Sequence, residues 1–228
     1  EPLVMPGQTP AAKAPARPRA QLQIFRPDGS LAQPQFGNTG RYRSTFDVQL
    51  NQKGTWKLAI ANHGLFARYK ENGEMKRWSG QAADFAKHVP KDAEQLQVTE
   101  TSSRMEVFVT SGQPSEHVLQ PTNNGLELVA NTHPNDLFAG EAAKFTFLLD
   151  GKPAADLKVT VIAAGIRYRD ELNDMQLTTD KDGAVSITWP QAGMYWLEAI
   201  SSQPIKNPAS PASQKRASYT ATLEVLAP

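Results

Sequence analysis

The sequence predicts an all-β protein built from two β-sandwich domains, the C-terminal one immunoglobulin-like or prealbumin-like. Apolar residues alternate with polar ones in many short runs, as in Phe46-x-Val48-x-Leu50 and Trp56-x-Leu58-x-Ile60, and a period of two is typical of half-buried strands. Pairs such as Asp150-Gly151 and Asp182-Gly183 separate the runs and favour hairpin turns. No long helical segments alternate with the strands, so a sandwich is favoured over a parallel sheet.

The composition narrows the classes of partner and of chemistry. The 228 residues carry 24 Lys and Arg against 23 Asp and Glu, and a formal net charge of +1 argues against nucleic acid as a partner. The chain has no cysteine, which excludes disulfides, thiolate catalysis and thiolate metal sites. No apolar run approaches the roughly 20 residues that a membrane span requires, and no signal peptide begins at Glu1.

The N-terminal part of the sequence divides into an arm and a first domain. Prolines at positions 2, 6, 10, 15 and 18 predict an extended or disordered arm over residues 1–20. The first β-sandwich is expected over residues 21–124, with a type I′ hairpin turn at Asn72-Gly73. One short helix is predicted near residues 81–87, with Ser79 as its N-cap and an end before Pro90.

The second domain is expected over residues 125–228, with about seven short strands. The spacing Gly193-x-Tyr195 is the one at which a buried tyrosine returns its hydroxyl to the backbone of the preceding corner in immunoglobulin-like sandwiches. Residues 201–218 contain three prolines and several serines, and they are predicted to form a long mobile loop.

The segment around His133 is the first candidate for a metal site. Among the four histidines, His133 is crowded by Asn135 and Asp136, and a neutral imidazole beside carboxylates suits nickel, cobalt, copper or zinc. The alternative is that Asn135 and Asp136 only form an Asx turn after a proline. His63, at a predicted strand end, either faces the domain junction or is a solvated loop residue.

The segment Arg167-Tyr168-Arg169 is a candidate ligand site, because two guanidinium groups around a phenol could hold a carboxylate or a phosphate. The alternative is a surface loop whose charges pair with each other. Asp180-Lys181-Asp182-Gly183 has the spacing of the start of a calcium loop, but the remaining ligands are missing, which favours a hairpin turn. No nucleophile elbow, phosphate-binding glycine loop or dinucleotide motif is present, so the sequence predicts that the protein is not an enzyme.

Several segments together resemble a known bacterial family. They are Gly54-Thr55-Trp56-Lys57, Gly64-Leu65-Phe66-Ala67, the run from Thr132 to Glu141, and Thr178-Thr179-Asp180. Nearly all of the chain after Gln21 is similar to a bacterial family of unknown function described as a periplasmic component of nickel or cobalt uptake. The resemblance implies β-sandwich domains and an exported, periplasmic protein made with a signal peptide. Of the family's suggestive positions, it carries over the motif from His133 to Asp136 and the following Glu141.

These observations lead to a functional expectation and an alternative. The expected protein is a non-enzymatic periplasmic accessory that binds nickel or cobalt, or hands the metal to a membrane transporter, with His133, Asp136 and His63 as metal ligands. Asn135, Glu141 and Arg167-Tyr168-Arg169 are expected to contribute to ligand binding. The alternative is a structural or interaction module of the cell envelope that binds a protein partner or a glycan. Glycan binding through tryptophans would need an exposed aromatic platform, whereas tryptophans at alternating strand positions usually belong to the core.

Overall fold

The computed structural model describes residues 20–205 and 210–228. With 54% strand and 6% helix, the structure confirms the all-β class. Within the described residues, no helix is long and apolar enough to cross a membrane. The predicted arm lies outside the described part of the chain, except for Ala20.

The strands follow the alternating pattern of the sequence. In β5, for example, Leu65, Ala67 and Tyr69 are buried while Phe66 and Arg68 are exposed, as expected when one face of a sheet is covered. The strands are β1 (Gln21–Phe25), β2 (Gln35–Phe36), β3 (Asn38–Thr39), β4 (Ser44–Thr45), β5 (Gly54–Glu71), β6 (Glu74–Gly80), β7 (Glu94–Ser111), β8 (Leu126–Ala130), β9 (Ala142–Leu149), β10 (Lys152–Pro153), β11 (Lys158–Ala163), β12 (Met175–Thr178), β13 (Ala184–Thr188), β14 (Gly193–Pro204) and β15 (Gln214–Val225). The helices are α1 (Ala82–His88) and the 3-10 helices His117–Leu119 and Ile166–Tyr168.

One nine-stranded sheet runs through both halves of the chain. Its order is β12-β11-β14-β15-β7-β5-β1-β2, and β6 also pairs with β5. Within this sheet the halves join through the parallel pairing of β15 with β7, from Gln214 opposite Thr99 to Thr222 opposite Val107. The domain boundary predicted near residue 124 therefore separates two segments that share one hydrogen-bonded sheet.

The second large sheet packs against the C-terminal part of the first. It contains β10, β9 and β13 in that order, with β8 also paired to β9. The main hydrophobic core lies between the two sheets, and burying such side chains is the principal favourable term in folding. Its largest fully buried members are Trp189, Tyr195, Tyr219, Phe145, Phe147, Leu126, Leu137, Ile187, Leu197, Leu223 and Val159.

The tyrosine corner predicted from Gly193-x-Tyr195 is confirmed. The Tyr195 hydroxyl donates a hydrogen bond to the carbonyl oxygen of Gln191 at 2.8 Å, and its ring meets that of Trp189 edge-on with the centroids 5.0 Å apart. Trp189 is fully buried. The other three tryptophans are buried or half-buried, so the described residues present no exposed tryptophan platform for a glycan.

Two of the three glycine turns form as predicted, and the third does not. Asn72-Gly73 (φ 51° and 84°) and Asp150-Gly151 (φ 50° and 76°) join hairpin strands with the positive φ pair that a type I′ turn requires. The hairpin predicted at Asp182-Gly183 is wrong, because β12 pairs with β11 in the large sheet while β13 pairs with β9 in the other. The Asp180 carboxylate accepts the backbone N–H groups of Asp182 and Ala184 at 2.9 Å each, and it thereby shapes a turn that crosses between sheets.

The long loop predicted over residues 201–218 is also wrong for half of its length. β14 continues to Pro204 and β15 begins at Gln214, so the two strands form a long hairpin around a short connection, of which residues 206–209 lie outside the described part. The polar, serine-rich sequence lacks the apolar alternation that would have predicted these parts of the strands. Strand β15 is held on both edges, by β14 and β7, and Ala217 and Tyr219 turn into the core.

The helix predicted near residues 81–87 corresponds to α1 (Ala82–His88). Its N-cap is Gln81, which makes no side-chain cap hydrogen bond. The expected N-cap Ser79 instead lies in β6.

Candidate binding cleft at His63

Four buried charged side chains lie where the two halves of the chain meet: Lys57, Arg104, Glu106 and Glu127. Arg104 on β7 donates from Nη1 to Glu106 Oε1 at 3.2 Å, and its Nη2 lies 3.7 Å from Glu127 Oε1 on β8. The Tyr219 hydroxyl on β15 donates to Glu106 Oε2 at 2.9 Å. These residues and Lys57 are each at most 9% exposed, and the two cations balance the two carboxylates.

The buried cluster satisfies its carboxylates by hydrogen bonds, as buried charges require. Glu127 accepts the backbone N–H groups of Thr122 and Asn124 and the Thr122 hydroxyl. Burial lowers the pKa of Lys57, whose ammonium nitrogen lies 4.8 Å from the centre of the Phe25 ring. Burial, and then the charge of Glu106, raise the pKa of Tyr219.

His133 lies near the first residues of β5, and both nitrogens of its ring contact protein groups. Its Nδ1 accepts the Asn135 backbone N–H at 3.1 Å, while Nε2 lies 3.0 Å from Thr55 Oγ1 and 3.3 Å from the Ser115 carbonyl oxygen. Because a neutral imidazole has one acceptor and one donor nitrogen, this arrangement uses both. Asp136 is exposed, and its N–H donates to the His133 carbonyl oxygen at 2.9 Å, which closes a backbone turn and not the Asx turn of the alternative interpretation.

The neighbouring predicted residues have equally local contacts. Asn135 accepts the Thr110 hydroxyl at 2.8 Å and donates to the Phe108 carbonyl oxygen at 3.0 Å, so this segment is fastened to β7. Glu141 is exposed, and its backbone carbonyl accepts the Trp189 N–H.

The structure does not bring His133 and His63 together. His133 contacts Thr55, and His63 lies eight residues further along the same strand, which is about 27 Å at the rise of an extended chain. In the part of the chain that the structure describes, no three His, Asp or Glu side chains form a set that could hold a metal ion.

The Arg167-Tyr168-Arg169 segment forms an exposed tip after β11. Tyr168 is 86% exposed, and Arg167 is exposed as well. Arg169 turns back and donates from Nη2 to the Ala163 carbonyl oxygen at 2.6 Å. The two guanidinium groups therefore have different environments.

His63 marks a gap in one edge of β5. On that edge β1 pairs with residues 57–59 and β6 with residues 65–71, so among the described residues 60–64 have no strand partner there. The Gln81 side-chain amide donates to the His63 carbonyl oxygen at 3.0 Å. Gly64 allows the end of β6 to lie close to the backbone of β5, because a Cβ at position 64 would lie only 2.8 Å from the Gly80 carbonyl oxygen.

Two cavities of about 220 and 400 Å³ open at this gap. We call the pair of cavities the His63 cleft. Because successive residues of a strand face opposite sides, the side chains of His63 and Ser102 lie on one face of the sheet and those of Asn62, Ser103 and Ser218 on the other. Cross-strand pairing places His63 opposite Ser102, and Ser103 opposite both Asn62 and Ser218. Both cavities are lined by Asn62, His63, Ser102, Ser103 and Ser218.

Sequence reasoning identified only His63 among these residues. The serines come from β7 and β15, which become neighbours through a parallel pairing that no local pattern predicts. The one available signal was the run of six polar residues from Thr99 to Arg104, which interrupts the alternation of the strand and contains Ser102 and Ser103. The Ser102 hydroxyl is buried and has no hydrogen-bond partner among the described residues.

An ion-pair chain lies beside the cleft. His63 Nε2 is 3.6 Å from Glu100 Oε1, and Lys215 Nζ is 3.6 Å from the same oxygen and 2.5 Å from Asp150 Oδ2. Partial burial opposes ionisation of Asp150, but the bonds from Lys215 and the Gly125 N–H outweigh it and lower the pKa of Asp150. Burial likewise opposes the charge on Lys215, whose pKa the Asp150 contact nevertheless raises.

Similarity to solved structures is weak. Alpha-2-macroglobulin from Escherichia coli, activated by trypsin, shows 14% identity over 90% of this chain and 13% of its own, with a TM-score of 0.21. The same protein activated by porcine elastase shows 12% identity over 90% of this chain and 28% of its own, also with a TM-score of 0.21. The chain thus spans less than a third of either structure, and scores this low carry no argument about fold or function.

No curated protein sequence matches the chain. A family model, described as a domain of unknown function (DUF4198), matches residues 5–203. That match includes β1 to β13 and most of β14, and with them the His63 edge of the cleft. The chain therefore belongs to the DUF4198 family of domains of unknown function.

Proposed function

We propose that this protein is a non-enzymatic binding protein whose ligand occupies the His63 cleft. The observation that carries the proposal is the buried hydroxyl of Ser102, a residue that lines both cavities beside His63 and whose hydroxyl has no hydrogen-bond partner among the described residues. An unsatisfied buried polar group costs about 1–3 kcal/mol. A ligand atom that bonds this hydroxyl would recover that free energy.

Binding is favoured over hydrolysis by the geometry of the same residues. Ser102 faces His63 across the strands, and Glu100 lies 3.6 Å from the imidazole, which superficially resembles a nucleophile with its base and orienting carboxylate. However, no hydrogen bond joins the Ser102 hydroxyl to the imidazole. A serine nucleophile requires that bond for activation.

A periplasmic location is also part of the proposal. The second candidate ligand is a transition metal. The approach of His63 to Glu100, with Asp150 nearby, supplies imidazole and carboxylate groups of the type that nickel and cobalt bind. Lys215 contacts both carboxylates, so a metal would have to displace its ammonium group. For this reason a polar organic ligand is the leading proposal.

The test is a titration of the isotopically labelled full chain, followed by amide chemical shifts. The ligand set contains glucose, N-acetylglucosamine, glycine, citrate, phosphate, nickel and cobalt. We expect at least one compound to shift the amides of the residues that both cavities share. The Ser102→Ala variant should weaken that binding about fivefold, which is what one lost hydrogen bond predicts.

Ser202→Ala is the matched control, because Ser202 is an exposed serine of β14 and lines neither cavity. Its affinity should equal that of the unmodified protein. The proposal is contradicted if none of these compounds moves the shared amides, or if Ser102→Ala binds as well as Ser202→Ala.

A further inference from the structure

We infer that the ligand of the His63 cleft is a peptide segment in extended conformation, which pairs with residues 60–64 of β5 as a short antiparallel strand. This inference rests on the proposed function and specifies its ligand class. It comes from the unpaired backbone groups at the gap in β5, and from the position of the two cavities on opposite faces of the sheet beside that gap.

Backbone groups of two residues of β5 face the gap. The Gly64 carbonyl oxygen accepts the hydroxyl of Thr101, the residue opposite it on β7, so Gly64 points its backbone groups toward β7. His63 points the other way, because its carbonyl oxygen accepts the Gln81 side-chain amide. Since backbone direction alternates along a strand, Ala61 also directs its N–H and carbonyl oxygen to the gap. Within residues 20–205 and 210–228, no strand pairs with Ala61 or His63 on that edge.

An extended peptide matches the spacing of these backbone groups. Its own N–H and carbonyl groups repeat at the same interval, so adding it as a strand forms a ladder of main-chain hydrogen bonds. The N–H groups of Ala61 and His63 and the Ala61 carbonyl oxygen can bond it without displacing Gln81. On this edge β1 and β6 both run antiparallel to β5, and a peptide between them continues their line. The five residues of the gap span about 17 Å at the rise of an extended chain.

The two cavities lie on opposite faces of the sheet beside the gap. Ala61 and Arg104 line only the smaller cavity, and their pairing places both on the face that carries His63. Thr101 and Arg216 line only the larger cavity, and they lie on the other face. Successive side chains of an extended peptide alternate between the faces of a sheet. A peptide paired with β5 therefore directs alternate side chains to the two cavities, and this arrangement gives specificity when a strand is added to an edge.

The smaller cavity fits a long, polar side chain of such a peptide. A peptide residue opposite Ala61 has its side chain on the same face, as directly opposite residues of an antiparallel pair do. Ala61 presents only a methyl group there, and the cavity continues past it to Ser102, whose buried hydroxyl has no partner among the described residues. A glutamine side chain carries both a donor and an acceptor for that hydroxyl. The ligand class is therefore an extended peptide with polar amide side chains at alternate positions.

The closing experiment titrates the isotopically labelled full chain with the peptide acetyl-Thr-Gln-Thr-Gln-Thr-amide and follows amide shifts and amide hydrogen exchange. We expect the amides of residues 60–64 to shift. Exchange of the Ala61 and His63 N–H groups should slow about tenfold at about 90% occupancy, because only the free protein then exposes them. The Asn62 N–H points toward β7, so its exchange should not change, and it serves as the internal control.

The matched control ligand is the same peptide with an N-methyl group on the second glutamine, which lies opposite Ala61 in the expected register. This peptide keeps every side chain but lacks the N–H that donates to the Ala61 carbonyl oxygen. Its affinity should fall about tenfold or more.

The inference is overturned if the N-methylated peptide binds as tightly as the parent peptide, or if the parent peptide binds without slowing exchange at Ala61 and His63. It is also overturned if these two N–H groups exchange as slowly as that of Asn62 in the free protein, since the gap is then already filled. If one of the small compounds or metals shifts the cleft amides while the peptide has no effect, the binding function stands and the peptide inference fails. If the peptide and all of those compounds leave the amides unchanged, both fail.

Discussion

The hydroxyl of Tyr219 donates a hydrogen bond to Glu106 at 2.9 Å, between strands β15 and β7 that pair in parallel. The two residues are 113 positions apart in the chain. Glu106 also accepts from Arg104, which lies near Glu127 on the second sheet. This contact therefore couples the N-terminal strands to the C-terminal half of the chain through buried polar groups, and its loss should be measurable as lost stability.

Tyr219→Phe should lower the free energy of unfolding by about 1–3 kcal/mol, because it leaves a buried carboxylate oxygen without its donor. Urea unfolding followed by tryptophan fluorescence measures this change. Tyr168→Phe is the control, since Tyr168 is 86% exposed, and it should alter stability by less than about 0.5 kcal/mol. Equal stabilities of the two variants would contradict the coupling assigned to Tyr219.

Arg104→Met should cost more, about 3–5 kcal/mol, because it leaves two buried carboxylates with only Lys57 to balance them. Since both halves of the chain share one sheet, we expect the variant to unfold in a single transition. Calorimetry measures both the loss of stability and the number of unfolding transitions. Arg68 is exposed, so Arg68→Met is the control for the loss of a guanidinium group. Two separate transitions in the unmodified protein would contradict a single folding unit.

His133→Ala should destabilise the protein by about 1–3 kcal/mol without changing the heat of titration with nickel, cobalt, copper or zinc. The physical reason is that both ring nitrogens already bond protein groups around Thr55, Ser115 and Asn135. Unfolding by urea gives the first quantity and isothermal titration the second. If the unmodified protein gives a heat of metal binding that is absent in His133→Ala, His133 is a metal ligand after all.

Asp150→Asn should remove a stabilisation that depends on pH. Because the pKa of Asp150 is lowered in the folded protein, its contribution is fully present above the unfolded pKa of about 3.9 and is lost as the pH falls through the folded pKa. The stability difference between the two proteins should thus stay constant near neutral pH and shrink in acid below about pH 4. With the Asp150 side chain 46% exposed, we expect at most about 1 kcal/mol.

Asparagine preserves the positive φ of the Asp150 turn, since Asn tolerates the left-handed region. A double-mutant cycle isolates the ion pair: in a Lys215→Met background, Asp150→Asn should lose most of its effect. An unchanged effect in that background would show that the pH dependence comes from another group.

Much of the local geometry of this protein follows from patterns within single strands and turns. Alternating apolar residues predicted the strands, Asn72-Gly73 and Asp150-Gly151 predicted their hairpin turns, and Gly193-x-Tyr195 predicted the tyrosine corner. Each of these features depends on residues within one strand or one turn, where steric limits on φ and the period of the side chains act directly.

The order of the strands in the sheets, and with it the candidate site, depends on contacts between residues that are distant in the sequence. The sequence did not predict that β15 pairs with β7, that the Asp182-Gly183 turn crosses between sheets, or that residues 201–204 and 214–218 are strand. A strand edge offers the same backbone groups to many partners, and its choice depends on burial across the whole sheet. His63 was therefore visible in the sequence, whereas its position opposite Ser102 was not.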